Sequence, residues 1–147
     1  MTIYLEDTAP FLLYRVGARV AGAANADYKA MGINLMSARV LITLLNGSEM
    51  VGVLAQRTGV DQPTLSHIIT RLVGGGWVKK ERQAHDNRTV LIALTPTGRK
   101  LAHRCVNHNQ RFERLITDKL SPAQTRALKE ILKQMHSNVE ELWMEKA

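Results

Sequence analysis

Apolar residues recur along this chain with a helical period over most of its length, interrupted once by a stretch of strict alternation. Leu12, Leu13, Val16, Val20 and Ala21 share one face of a helix predicted over residues 11–28. Thr8 stands at its cap position and Pro10 in its first turn, where a missing amide proton costs nothing. Asn34 caps a second helix, over 35–45, that stops at Asn46-Gly47. After a link at 48–50, a third covers 51–58 and ends at Gly59. Asp61 caps a fourth, in which Leu65, Ile68, Ile69 and Leu72 repeat at i, i+3, i+4 and i+7, the spacing of one buried face. Gly74-Gly75-Gly76 ends it.

The alternation follows. Residues 77–82 and 89–94 read as two strands, the second with Val90, Ile92 and Leu94 on one side, joined by a polar loop over 83–88. Thr95-Pro96 then opens a long helix with Leu101, Cys105, Phe112, Leu115 and Ile116 on one side. Ser121-Pro122-Ala123-Gln124 fits a capping box with proline at the first helical position, and the helix it starts is expected to bury Leu128, Ile131, Leu132, Met135 and Leu142. The fold class is therefore mainly α with one hairpin (α+β), in the order four helices, hairpin, two helices.

The third and fourth helices, joined by Gly59-Val60-Asp61, match a helix-turn-helix unit. With the fourth helix's apolar face turned inward, a rotation of 100° per residue puts Pro63, His67 and Thr70 outward, flanked by Ser66 and Arg71. That face is short, polar and free of acid. Its hydroxyls and imidazole can exchange hydrogen bonds with base edges, the Thr64 and Thr70 methyls can meet thymine methyls, and Gln62 can offer its amide to adenine. A solvated surface helix would look similar in isolation. The hairpin alters the balance, because His85, Asp86, Asn87 and Arg88 lie between strands bearing Lys79, Lys80 and Arg82, a cationic wing directly after the candidate recognition helix.

Charge fits a polyanionic partner. The chain has 147 residues, enough for one core, and carries 20 Lys+Arg against 13 Asp+Glu, a formal net charge of +7. The first fifty residues are balanced, and the excess lies in 51–95 and 96–147. One cysteine, Cys105, can form neither an internal disulfide nor a thiolate zinc cage, as in a reducing cytoplasm. No charge-free stretch approaches the length of a membrane span, and the start MTIYLED is acidic where a signal peptide is basic, so a cytoplasmic location and no membrane partner are expected. There is no phosphate-cradling glycine motif and no convergent nucleophile, base and acid set, so an enzyme is not expected and no cofactor is called for. A sequence-independent architectural DNA binder stays open as the alternative, since net charge alone would serve it.

The run Leu54-Ala55, Gly59-Val60, Thr64 through Leu72, Gly76-Trp77-Val78, Arg82, Asp86-Asn87-Arg88 and Leu94-Thr95-Pro96-Thr97-Gly98 resembles the MarR family of winged helix-turn-helix transcriptional regulators. The Asp-x-Arg wing tip followed by Leu-Thr-x-x-Gly is the most specific part. The resemblance implies a single MarR-like domain over 1–147, with a DNA-binding lobe at 34–95 and dimerisation helices at 8–30 and 96–145. It implies that Arg88 enters the minor groove, held by Asp86, and that a homodimer reads a pseudo-palindromic double-stranded operator with half-sites about 10 bp apart. The expected function is a repressor released by a small ligand, and an aromatic or phenolic acid is the class many members bind. Phe11 and Tyr14, for stacking, and Arg15, for a carboxylate, are the effector candidates. Peroxide-sensing relatives carry their cysteine in the first helix, so Cys105 is expected to be an inert buried thiol. His103, Cys105 and His108 lack the i, i+4 spacing of a helical metal pair, so no metal is expected.

Overall fold

A computed structural model describes residues 4–83 and 85–146, with the side chains of Asn87, Arg88 and Lys146 outside the described ones. The chain divides into two compact units, one up to Asn109 and one from Gln110. In the first, α1 (Ala9–Lys29), α2 (Leu35–Thr43), α3 (Val51–Thr58) and α4 (Gln62–Gly74) precede a hairpin, and α5 (Pro96–Ile116) begins after it. The second holds the end of α5 and α6 (Pro122–Lys146).

The caps explain most helix starts. Asn34 accepts from the Ser37 amide at 2.8 Å, and Asn25 reaches across from α1 to accept from the Leu35 amide at 3.1 Å, so two side chains serve the exposed amides of α2. Ser121 and Gln124 form the reciprocal capping box: the Gln124 amide donates to Ser121 Oγ at 3.2 Å, and the Ser121 amide to Gln124 Oε1 at 2.8 Å. Thr8 departs from expectation, because its hydroxyl donates back to the Leu5 carbonyl at 2.8 Å and caps nothing in α1. The Thr8 backbone amide donates to the same carbonyl at 3.1 Å and closes a 3-10 turn at Leu5–Asp7. The predicted second helix is also shorter in its α-helical part, since its last residues, Leu44–Asn46, tighten into a 3-10 turn before Gly47.

The sheet has three antiparallel strands in the order β1-β3-β2: β1 (Glu49–Met50), β2 (Val78–Gln83) and β3 (Asp86–Leu94). β1 occupies what reads in sequence as a link, and pairs Glu49 with Ile92 and Met50 with Leu91. Two residues carry no periodicity, so only tertiary pairing reveals them. The predicted six-residue tip of the hairpin is also shorter, because pairing continues out to Gln83 opposite Asp86.

The first unit's core gathers Tyr28, Leu41, Leu44, Leu54, Val60, Leu65, Ile68, Ile69, Leu72, Val78, Ile92, Leu101 and Cys105, all buried. Fully burying each of its large aliphatic side chains contributes about 1.5–3 kcal/mol before entropy is counted. Two glycines position the wing lobe. Gly59 ends α3 at φ 68, a left-handed turn that allows α4 to start at once. Gly98, in the first turn of α5, leaves no room for a Cβ, which would collide with the Trp77 carbonyl.

The second unit leaves its apolar stripe open in one chain. The α6 residues Leu128, Ile131, Leu132 and Leu142 are exposed in the single chain, as are Leu115 and Ile116 at the end of α5. A two-helix unit has too little opposing surface to cover a stripe of this length. Leu12, Leu13 and Val16 of α1 are likewise exposed in the first unit.

Candidate nucleic-acid interface

α4 separates its residues by face, as the period requires. Leu65, Ile68, Ile69 and Leu72 are at most 5% exposed, whereas Gln62, Pro63, Thr64, Ser66, His67, Thr70 and Arg71 are all exposed. The seven sequence-predicted residues of this helix are thus brought together on its solvent side. Asp61 starts the helix by accepting from the Thr64 amide at 2.9 Å, and that bond holds its carboxyl below the ordinary carboxylate range. Gly52 of α3 lies beside Gln62: a Cβ there would sit 3.5 Å from the Gln62 amide nitrogen, an ordinary contact distance, so the amide packs next to the start of α3. Thr70 refines its expected role. Its hydroxyl donates to the Ser66 carbonyl at 2.9 Å, which commits the proton within the helix and leaves the oxygen to accept and the methyl for apolar contact.

The wing's register distributes its charge unevenly. Lys80 stands opposite Ile92 and Arg82 opposite Val90, so these cations continue the face that includes Val78 and Leu94. Lys79 lies on the other face, paired at 2.6 Å with Glu81 two residues on. Among the described residues Lys80 and Arg82 make no ion pair. The wing is anchored at its base, where the Thr95 hydroxyl donates to the Gly76 carbonyl at 2.6 Å and accepts from the Gly98 amide at 2.9 Å. Thr95 thus ties the triple glycine to the start of α5, which gives the threonine of the Leu-Thr-x-x-Gly element a structural task. At the tip, Thr89 donates to Asp86 at 2.6 Å. Asn87 and Arg88, which the sequence assigns to the interface, belong to β3, and their side chains lie outside those described.

The effector candidates divide. The Arg15 guanidinium lies 5.7 Å from the centre of the Phe11 ring, one turn away on α1, in a cation–π contact. Tyr14 is 72% exposed and takes no part in that contact. A groove of about 430 Å3 opens further along, lined by Ala21, Gly22 and Asn25 of α1 and by Asn34, Leu35 and Met36. None of the three candidates lines it. Sequence reading missed Asn25, whose signal, a capping amide ten residues from the amide it caps, is not local.

Cys105 is fully buried, and burial pushes its thiol up to about 11. Tyr28, beside it in the core, is raised to about 12, chiefly by burial. His108 meets Asp27 at 2.8 Å and tilts against the Tyr28 ring at 4.6 Å, joining α5 to α1 within the first unit. Among the described residues no three metal-ligating groups cluster, and no helix is long and apolar enough to cross a membrane.

A helix-turn-helix whose second helix turns an acid-free face outward, followed by a three-stranded sheet with a cationic hairpin, defines a winged helix-turn-helix protein. Comparison with known proteins gives the family. The profile of the transcriptional regulators SarA/Rot matches residues 26–105, more than half of the chain. An HTH-type transcriptional repressor of Mycobacterium tuberculosis is 26% identical over 137 residues, covering 91% of this chain and 99% of the repressor. An uncharacterised HTH-type regulator of Bacillus subtilis is 26% identical over 101 residues, and the match spans 67% of this chain and 62% of that regulator. Among solved structures, a MarR-family regulator from Silicibacter pomeroyi superposes with a TM-score of 0.80 at 27% identity over 93% of each chain. BpsR of Bordetella bronchiseptica, whose DNA binding is regulated by 6-hydroxynicotinic acid, superposes with a TM-score of 0.84 at 23% identity, over 92% of this chain and 98% of its own. The protein belongs to the MarR family of winged helix-turn-helix transcriptional regulators. It is a DNA-binding regulator and not an enzyme.

Proposed function

We propose that the protein is a homodimeric repressor that reads a pseudo-palindromic operator through α4 and the wing and is released by a small aromatic acid. The observation that carries the DNA half is the acid-free outward face of α4, with Gln62, Ser66 and His67 exposed above a fully buried opposite face. In the proposed arrangement residues 34–95 form the lobe that meets DNA, with α4 in the major groove and Arg82 and Arg88 reaching phosphate and the minor groove. Repression is supported by the mycobacterial relative, itself a repressor.

Residues 8–30 and 96–145 are the proposed dimerisation helices. Support comes from the apolar stripes left open in one chain, Leu12, Leu13 and Val16 on α1 and Leu128, Ile131, Leu132, Val139, Leu142 and Trp143 on α6. Such continuous apolar stripes mark interaction surfaces in a protein of this size. Twofold pairing then sets two α4 helices one helical turn of DNA apart, about 10 bp.

The ligand half draws support from BpsR and 6-hydroxynicotinic acid. The groove at Asn25 and Asn34 has apolar walls for a ring and two side-chain amides for a polar substituent, while Arg15 with Phe11 and Tyr14 offers a cation and aromatic faces. Selection of bound duplexes from a random pool, followed by a release screen with aromatic acids, tests both halves. The expected result is a twofold-symmetric consensus and loss of binding with an aromatic acid. Recovery of all sequences equally would instead establish a sequence-independent binder. Asn25→Ala or Arg15→Ala then identifies which seat the acid takes, by which of them abolishes release.

A further inference from the structure

We infer that Thr89 is a positioning residue of the wing: its hydroxyl clamps Asp86 and so closes the strand irregularity in which Arg88 lies. This rests on the reading of the wing as a DNA-contacting element. In the register of the hairpin, Arg82 faces Val90 and the next residue of β2, Gln83, faces Asp86. One step along β2 therefore meets four along β3, and among the described pairings Asn87, Arg88 and Thr89 fall inside the register shift. Insertions of this kind bend a strand and re-aim its residues, at the cost of ladder hydrogen bonds. Arg88, the residue assigned to the minor groove, is the middle one of the three.

The bond that spans the insertion runs between its two ends. Thr89 Oγ1 donates to Asp86 Oδ2 at 2.6 Å, a short hydroxyl–carboxyl hydrogen bond. Threonine suits the task because branching at Cβ restricts χ1, so little rotamer freedom is lost when the bond forms. The clamp acts by pre-organisation. Without it the inserted segment samples more conformations, and the apparent affinity for DNA falls by the fraction that remains competent. A further consequence is that Thr89 itself has no need to touch the duplex.

The test uses the full-length protein and the duplex obtained by selection. Thr89→Val keeps the branching and strand preference but removes the hydroxyl, and Thr89→Ser keeps the hydroxyl. The valine variant is expected to bind roughly 2- to 10-fold more weakly, as loss of one hydrogen bond predicts. The serine variant should bind as the parent does, and both should keep the parent's urea midpoint. Arg88→Ala closes a double-mutant cycle: once the arginine is gone, Thr89→Val should cost nothing further. Parental binding by the valine variant, equal losses in the valine and serine variants, or a full additional loss in the Arg88→Ala background would each overturn the clamp while leaving the DNA-binding reading intact. Unchanged binding by Arg88→Ala alone would remove the wing arginine from the interface, and the clamp with it.

Discussion

The two faces of α4 should be separable by a pair of substitutions two residues apart, Leu65→Ala and His67→Ala. Leu65 is fully buried. Its truncation removes three carbons, about 2.4 kcal/mol at ~0.8 kcal/mol per methylene. The void adds roughly 1 kcal/mol or more if its walls relax only in part, which places the loss near 3–4 kcal/mol. His67 is exposed on the opposite face, where a truncation changes stability by no more than about 0.5 kcal/mol. For DNA the order reverses: losing a base contact at His67 should cost about 1–3 kcal/mol and shift base preference, whereas folded Leu65→Ala protein should keep the parental preference. Urea unfolding followed by circular dichroism, at one fixed protein concentration because a dimer's stability depends on it, supplies the first measurement. Fluorescence anisotropy with labelled duplexes supplies the second. A His67→Ala loss of stability above about 1.5 kcal/mol, or a Leu65→Ala loss below about 1 kcal/mol, would refute the assignment of faces, by the same scale of core costs.

Other outcomes follow from the same geometry. Replacing Lys80 by Gln should weaken binding and lower the slope of log affinity against log salt by about 0.9, one phosphate contact, whereas Lys79→Gln, whose cation is spent on Glu81, should leave the slope unchanged. Asp61 has a depressed pKa from its bond to the Thr64 amide, so its stabilisation is present above the unfolded carboxylate value, near 4, and is lost as pH falls through the lower folded value. Asp61→Asn should therefore flatten the acid limb of a urea-midpoint profile. Cys105 and Tyr28 are raised from 9.0 and 10.0 to about 11 and about 12, so their contribution is intact below pH 9 and is lost as pH rises towards 12. A thiol-specific disulfide reagent should accordingly leave Cys105 unmodified in native protein at neutral pH and react fully in denaturant.

The parts of the fold that local chemistry specifies were legible in the sequence. Asp61 and the capping box at Ser121 start helices through contacts three residues away, and the spacing of Leu65, Ile68, Ile69 and Leu72 fixes which side of α4 faces out. What could not be read depends on distant partners. β1 exists only because Glu49 and Met50 meet Ile92 and Leu91, and Asn25 caps a helix on the far side of a turn. The α6 stripe shows a different limit, since helical spacing says that Leu128, Ile131 and Leu142 share a face but not whether this chain covers it. The wing tip combined both: Asp86 and Arg88 stand out as residue types, but the insertion that Thr89 closes follows from the register.

Hydroxyl-radical footprinting on the selected duplex, with the complex's protein stoichiometry measured in parallel, tests the central claim most directly. Two protein chains per duplex and two protected blocks centred about 10 bp apart on one side of the helix, each flanked by a protected minor groove, are what two α4 helices and two wings would leave. One chain per duplex, or uniform protection with no such spacing, would contradict it.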